Sequence, residues 1–432
     1  MPRVLLLLPT TTYRTEAFVS AATRLGVDVT VASERPNTLA RLNPAGLLTL
    51  DFNDPQHAAQ RVVEFSADHP IHAVVPVDSQ VVVVGAAISA ALGLRHNSVE
   101  SATAAQDKHR MRQAFTRAGV PSPQATLCSL SEDRVALAGR VNFPCVVKPL
   151  SLAASQGVIR ADDQEQFIRA VNRLEAILES DHSTSLAPSS SCDGREPSHI
   201  GPSESTRQFL VEPFVDGPEF ALEGMLTRGE LRVLALFDKP DPLDGPFFEE
   251  TIYVTPSRLA AEMQEKIVHC AGQAARALGL TEGPIHAELR LAKDGPSVIE
   301  VNARSIGGLC SRMLRFGTET SLEELIIRHA LEEDCELPKR QSQATGVMMI
   351  PTKRAGRLAE VRGLDEAAAV SGVHDVTISA HLGQRLIPLP EGSQFLGFIF
   401  ARAESPETVE AALRESHSKL EFVIEPTVDY TR

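Results

Sequence analysis

No two of the six cysteines, at positions 128, 145, 192, 270, 310 and 335, form a CxxC pair. That spacing argues against a disulfide framework and against a cysteine-based zinc site, and it fits a reducing cytoplasm. A surplus of positive charge is also missing. The 42 Lys and Arg stand against 56 Asp and Glu, a formal net charge of −14, so a chain devoted to coating nucleic acid or an anionic membrane is not expected. The only apolar run at the N-terminus is far below the roughly 20 residues that span a bilayer. The run at 4–8 is too short for a signal-peptide core and is expected to be a buried strand. No GxSxG or clear Cys/His arrangement, Walker motif or internal repeat is found. The first strand ends in Pro9 and three threonines rather than GxGxxG, which makes a Rossmann dehydrogenase a poor fit.

The 432 residues, 43% hydrophobic and 23% charged, can bury several cores, and compact domains of about 50 to 250 residues imply two to four of them. The first 100 residues alternate strands (4–8, 27–31, 47–50, 73–77) with helices (14–25, 55–66, 79–91), the pattern of a doubly wound parallel α/β unit. Residues 101–120 read as one helix with an N-cap Ser, ended by Gly119 before Pro121. A strand at 145–148, a helix at about 162–179 and strands at 208–213, 218–226 and 231–237 follow, then a helix at 257–278, a hairpin at 284–301 and a helix at 321–332. The segment 181–206 is rich in Ser, Pro, Thr and Gly and is expected to be a mobile surface excursion. Beyond 346 short strands and a helix at 406–419 suggest a small α+β module. The expected division is 1–100, 101–215, 216–345 and 346–432, an α/β domain followed by α+β units.

The stretch 284–304 carries the densest chemistry. Glu300 and Asn302, two apart in a strand, share a face. A two-residue loop at Asp294 and Gly295 places Glu288 opposite Val301, whereas a three-residue loop, Lys293 to Gly295, places it opposite Glu300. In the second register two carboxylates and an amide oxygen converge and need a cation between them, and oxygen-only ligands suit Mg²⁺ or Mn²⁺. A solvent-facing polar stripe is the other reading. Lys148 and Lys239 each end an apolar run, where an ammonium can meet phosphate or simply snorkel to the surface. Lys108 stands within its helix. The small-residue loop SLAASQGV, 151–158, can lay backbone amides near a phosphate. In 241–253, aromatic rings accompany Glu249 and Glu250, which either receive a substrate ammonium or form a solvated lid.

Taken in order, QDKHRMRQAFTRAGVPSP, CVVKPLSLAASQGV, FLVEPFVDGPEFALEG, FDKPDPLDGPFFEETIYVTP, HAELRL and IEVNARSIGGLCSRMLRFG resemble the ATP-grasp superfamily of carboxylate-amine ligases, particularly the bacterial L-amino acid ligases that make dipeptides. The resemblance runs from about 100 to 345, and the end of the chain is similar to the C-terminal module of that branch. It implies ATP and Mg²⁺ as cofactors. Lys108 and Lys148 match phosphate-contacting lysines, and Ser155, Gln156 and Gly157 match the loop that folds over the phosphates. Glu212, Pro213, Phe214 and Val215 match the positions that receive adenine, Glu219 the acid that binds ribose, and Lys239 a third phosphate contact. Glu288, Glu300 and Asn302 match the metal ligands, Arg304 the arginine at the transferring phosphoryl, and Gly307 and Gly308 the adjoining substrate loop. The phosphate loop is less glycine-rich than the family's, and 181–206 is longer than the family core needs. The implied reaction activates an amino-acid carboxylate as an acyl phosphate and joins it to a second amino acid. The alternatives are ligation or carboxylation of another carboxylate, and a nucleotide binder without turnover. The expected partners are small molecules, with no nucleic acid or membrane, and a homodimer is admitted.

Overall fold

The computed structural model describes residues 1–185, 207–333 and 339–426. Residues 181–185, expected to belong to a mobile excursion, are instead the end of the helix Gln164–Ser185. The remainder, 186–206, lies outside the described residues. No described helix is long and apolar enough to cross a membrane.

At the N-terminus the run RVLLL forms the strand Arg3–Leu7, fully buried from Val4 onward. It pairs in parallel with Asp28–Ser33 and Ala73–Pro76, and Leu47–Thr49 lies outside Asp28–Ser33. Parallel neighbours need crossovers, supplied by the helices Thr15–Leu25 and Pro55–Asp68. The second carries Asp54 as its N-cap, bonded to the His57 amide, and proline in its first turn.

Residues 101–120 are not one helix. Asp107 leaves the helical conformation at φ −96, ψ 110, and its side chain caps a new helix, Lys108–Ala118, by accepting from the amides of His109 and Arg110. The preceding helix, Val99–Gln106, is capped by Ser98 rather than Ser101. An aspartate that satisfies two orphan amides competes with helix continuation. Lys108 therefore starts a helix, with its amide bonded to the Leu150 carbonyl at 3.2 Å.

Two antiparallel sheets form the centre. The smaller has the order Thr126–Ser129, Gln208–Pro213, Cys145–Pro149, Ile159–Ala161. The larger has eight strands, starting Gly295–Asn302, Gly283–Ala292, Glu219–Thr227, Glu230–Asp238 and Ile252–Thr255. It continues without a break through Ala344–Ile350, Gly397–Ala403 and Val373–Ile378. The expected boundary at 345/346 thus falls inside a strand hydrogen-bonded on both sides. Gly356–Arg362, Arg385–Leu386 and Glu421–Glu425 make a separate three-stranded sheet.

One apolar cluster joins Leu6 and Phe18 of the first unit to Phe316, Leu325 and Phe398 of the large sheet's surroundings. Each such fully buried side chain contributes about 1.5–3 kcal/mol, so the first unit is seated firmly on the rest. This brings the C-terminal end of the strand Ala73–Pro76 to the hairpin.

Candidate active site

The hairpin Gly283–Ala292 and Gly295–Asn302 sets the geometry. Its turn is the two residues Lys293 and Asp294, with Ala292 opposite Gly295, so the three-residue loop does not form. A bulge at Ile299 adds one residue to the second strand, and past it the pairs are Glu288 with Glu300, Ala287 with Val301 and His286 with Asn302. The bulge re-aims the ladder and restores the Glu288–Glu300 pairing that the loop was expected to give. Gly295, at φ +118, occupies backbone that side chains rarely adopt.

The Ile299 carbonyl accepts from Arg112 Nη2 at 2.6 Å. Arg112 also donates from Nε to Glu212 Oε1 at 2.7 Å, and Lys148 Nζ lies 2.7 Å from Glu212 Oε2. Burial alone would raise the Glu212 carboxyl, but the two cations outweigh it and hold the group at about 2. Beside them Lys108 Nζ bonds the Leu152 carbonyl at 2.8 Å and lies 3.9 Å from Glu300. Burial again pushes Glu300 up, and Lys108, Arg304 and Lys148 together bring it below the ordinary carboxylate value.

A second ionic group surrounds Lys239. Its ammonium is 2.7 Å from Glu219, 2.5 Å from Glu250 and 3.5 Å from Glu288. The three carboxylates each place an oxygen within 4.8 Å of the others, a crowding that Lys239 relieves together with Arg290. Burial would depress the lysine, yet the three acids raise it well above its usual value. Burial raises Glu288, only partly offset by Lys239, with Glu219 and Glu300 adding to the rise. Glu219 also accepts from Arg290 Nε at 3.0 Å, and Arg290 Nη1 donates to the Val215 carbonyl at 2.9 Å. The Arg290 guanidinium lies 4.9 Å from the Phe214 ring centre, so it clamps the segment after Pro213 by charge and cation–π contact.

Arg304 donates from Nε to Ser79 Oγ at 3.0 Å, and the same hydroxyl lies 3.4 Å from Asn302 Oδ1. Ser79 follows the strand Ala73–Pro76 in the first unit. In the next loop the Ile306 amide donates to Glu223, which also faces His286 Nδ1 at 3.1 Å. Gly308 has φ +57, and a Cβ there would come 3.1 Å from the Phe398 ring. Glu249 is drawn elsewhere: burial raises its carboxyl, while Lys353 and the Thr352 amide lower it. With Glu250, Ser155, Phe248, Ile387 and Phe395 it lines an open cleft.

The loop 151–157 is strained. Ala154 at φ 51 and Ser155 at φ 57 hold left-handed backbone, which costs a residue bearing a Cβ roughly 1–2 kcal/mol. Gly157, at φ +71, leaves no room for a side chain, since a Cβ would lie 2.9 Å from Leu174.

An ATP-grasp domain model matches residues 141–313, an ATP-grasp N-terminal domain model 19–96, and an L-amino acid ligase C-terminal domain 2 model 348–425. The crystal structure of an L-amino acid ligase from Bacillus licheniformis superposes with a TM-score of 0.77 at 25% identity, covering 98% of this chain and 99% of that one. This chain carries an ATP-grasp domain and is similar to an L-amino acid ligase along nearly its whole length. Alanine–anticapsin ligase of Bacillus subtilis is 32% identical over 50% of the ATP-grasp chain and 44% of its own length. Uncharacterized protein y4rH of Sinorhizobium fredii is 27% identical over 75% of the chain and 62% of its own length. The chain thus covers less than two thirds of these curated relatives.

Within the ATP-grasp fold, Lys108, Lys148, Glu212, Glu288, Glu300, Asn302 and Arg304 are joined by contacts around one hairpin end, while Glu219, Lys239 and Glu250 form the adjoining ionic group. Ser155, Gln156 and Gly157 lie in the loop above, and Glu249 faces the cleft. Arg112, Arg290 and Ser79 escaped sequence reasoning. Arg290 carried a signal, because His286, Glu288 and Arg290 alternate on one face of the strand. Arg112 and Ser79 carried none, since each acts across more than 100 residues of chain.

Proposed function

We propose that this chain is an ATP- and Mg²⁺-dependent ligase that activates an amino-acid carboxylate as an acyl phosphate and joins it to the amine of a second amino acid. The observation that carries the reading is the hairpin end, where Glu288 pairs with Glu300, and Arg304, Lys108 and Lys148 stand beside them. Two carboxylates and an amide oxygen form an oxygen-only donor set that fits Mg²⁺ or Mn²⁺. In that role Glu288, Glu300 and Asn302 hold the metal, which when bound supplies charge neutralisation to the phosphates.

The carboxylate oxygen attacks the γ-phosphorus of ATP, the bond to the β-phosphate oxygen breaks and ADP leaves. Lys108, Lys148 and Arg304 offset charge on the transferring group. The free amine then attacks the acyl carbon, phosphate departs with the electron pair of the C–O bond, and the amine's proton passes to solvent. The 151–157 loop and the residues around Gly307 and Gly308 exclude water from the acyl phosphate. Glu212 to Val215 receive the adenine, Glu219 the ribose, and Glu249 or Glu250 a substrate ammonium. The relatives named alanine–anticapsin ligase, dapdiamide A synthase and L-amino acid ligase support amide formation between small molecules.

The test is a phosphate-release screen of amino acids, singly and in pairs, with mass spectrometry of products and hydroxylamine present in parallel. The expected result is ADP release that requires an amino acid, a hydroxamate of the activated acid, and a dipeptide. Equal ATP turnover with and without any amino acid, and no hydroxamate across a broad panel of acids, would refute the proposal. A hydroxamate formed only from non-amino-acid carboxylates would move the substrate class.

A further inference from the structure

Resting on the reading of 151–157 as the loop that covers ATP phosphates, we infer that a segment of the C-terminal module, centred on Pro390 and Glu391, holds that loop in its phosphate-covering conformation. Glu391 and Arg173 are thereby positioning residues for nucleotide binding. The loop lacks glycine at 154 and 155, where the backbone is left-handed, so local preference pulls it toward other conformations. Something outside the loop must oppose that pull.

The contacts that do so come from two sides. From the helix Lys108–Ala118, Lys108 bonds the Leu152 carbonyl at 2.8 Å. On the other side the Gly157 amide donates to the Pro390 carbonyl at 2.9 Å, and Gln156 Nε2 donates to the Glu391 carbonyl at 2.8 Å. The Glu391 backbone is itself fixed through its side chain, which takes a two-pronged ion pair from Arg173, with Nη2 to Oε2 at 2.8 Å. Arg173 lies on Gln164–Ser185, the helix that also packs Leu174 against Gly157. The helix, the phosphate loop and the C-terminal segment therefore form a closed ring of contacts. More than 200 residues separate Arg173 from Glu391 in the chain, so the ring forms only when the C-terminal module is docked. A strongly glycine-rich loop would adopt the same backbone with little strain and need no such support.

The experiment measures binding of fluorescent N-methylanthraniloyl-ADP with Mg²⁺ to the full chain, for wild type, Arg173→Glu, Glu391→Arg, the exchanged pair, and each single reversal combined with Ala154→Gly. Each reversal is expected to weaken binding by roughly three- to tenfold, a rim ion pair being replaced by like charges. The exchanged pair should return to within about twofold of wild type. Ala154→Gly should restore most of the loss in either reversed background, because it removes strain that the contact opposed. Urea denaturation of each variant separates positioning from general destabilisation, since a positioning effect moves nucleotide affinity without a matching shift of the unfolding midpoint. Circular dichroism confirms that each variant is folded. Unchanged affinity in both folded reversals, or a loss that neither the exchange nor Ala154→Gly repairs, overturns the inference. Failure of the wild type to bind the nucleotide at all would instead overturn the functional reading beneath it.

Discussion

Arg112 Nη2 donates to the Ile299 carbonyl at 2.6 Å, binding the bulge that brings Glu288 opposite Glu300 to the helix that carries Lys108. The same guanidinium holds Glu212, which is also held by Lys148. One buried arginine thus ties the hairpin, the small sheet and the candidate phosphate lysines together.

Replacing Arg112 by Met should therefore lower unfolding stability by roughly 3–5 kcal/mol, because it leaves a buried carboxylate short of a partner. Arg112→Met combined with Glu212→Gln should recover part of that loss. Urea denaturation of the two singles and the double gives the coupling. Additive losses would show that the pair does not act as one unit.

The Glu212 carboxyl also predicts a pH dependence. Its folded value of about 2 lies below the ordinary 4.5, so the native state favours the ionised form. The stability this contributes is fully present above about pH 4.5 and is lost as pH falls toward 2. Over that window the gap in unfolding free energy between wild type and Glu212→Gln should shrink by roughly 3 kcal/mol. Parallel curves for the two proteins between pH 5 and 2 would contradict the assignment.

Glu300→Gln should keep the fold and abolish ligation, a loss of at least about 100-fold. The amide preserves volume but removes the charge proposed to hold Mg²⁺ and now facing Lys108 at 3.9 Å. Product formation at ordinary Mg²⁺ is the measurement, with Mn²⁺ binding followed by electron paramagnetic resonance as a readout independent of turnover. Near-normal ligation would remove Glu300 from the metal site.

Ser79→Ala should slow turnover by about tenfold with little effect on nucleotide affinity. Its hydroxyl orients Arg304 at 3.0 Å, and Arg304 is proposed to act mainly on the charge that develops in the transition state. Steady-state kinetics beside equilibrium nucleotide binding separates the two. Equal losses in both would place Ser79 at the ground-state nucleotide instead.

Much of the candidate site was legible because strands alternate. HAELRL and IEVN put Glu288, Glu300 and Asn302 on readable faces, and the apolar runs ending at Lys148 and near Lys239 marked strand ends. The bulge was not legible. Ile299 is an ordinary strand residue, and an extra residue in one strand shows itself only in the partner's register. The break at Asp107 was hidden for a different reason, since an aspartate inside a helical pattern caps or tolerates according to what its neighbours' amides can find.

Local sequence by itself determined the alternation of elements, the parallel first unit, the hairpin and the motif order, because those depend on periodicity, capping and turn chemistry within some 20 residues. Tertiary structure decided which charges meet. Lys239 is shared among Glu219, Glu250 and Glu288, and Ser79 reaches Arg304 across 225 residues. The physical reason is that a buried charge is tolerated only beside its partner, and the partner is chosen by how sheets stack and domains dock, which no local pattern encodes.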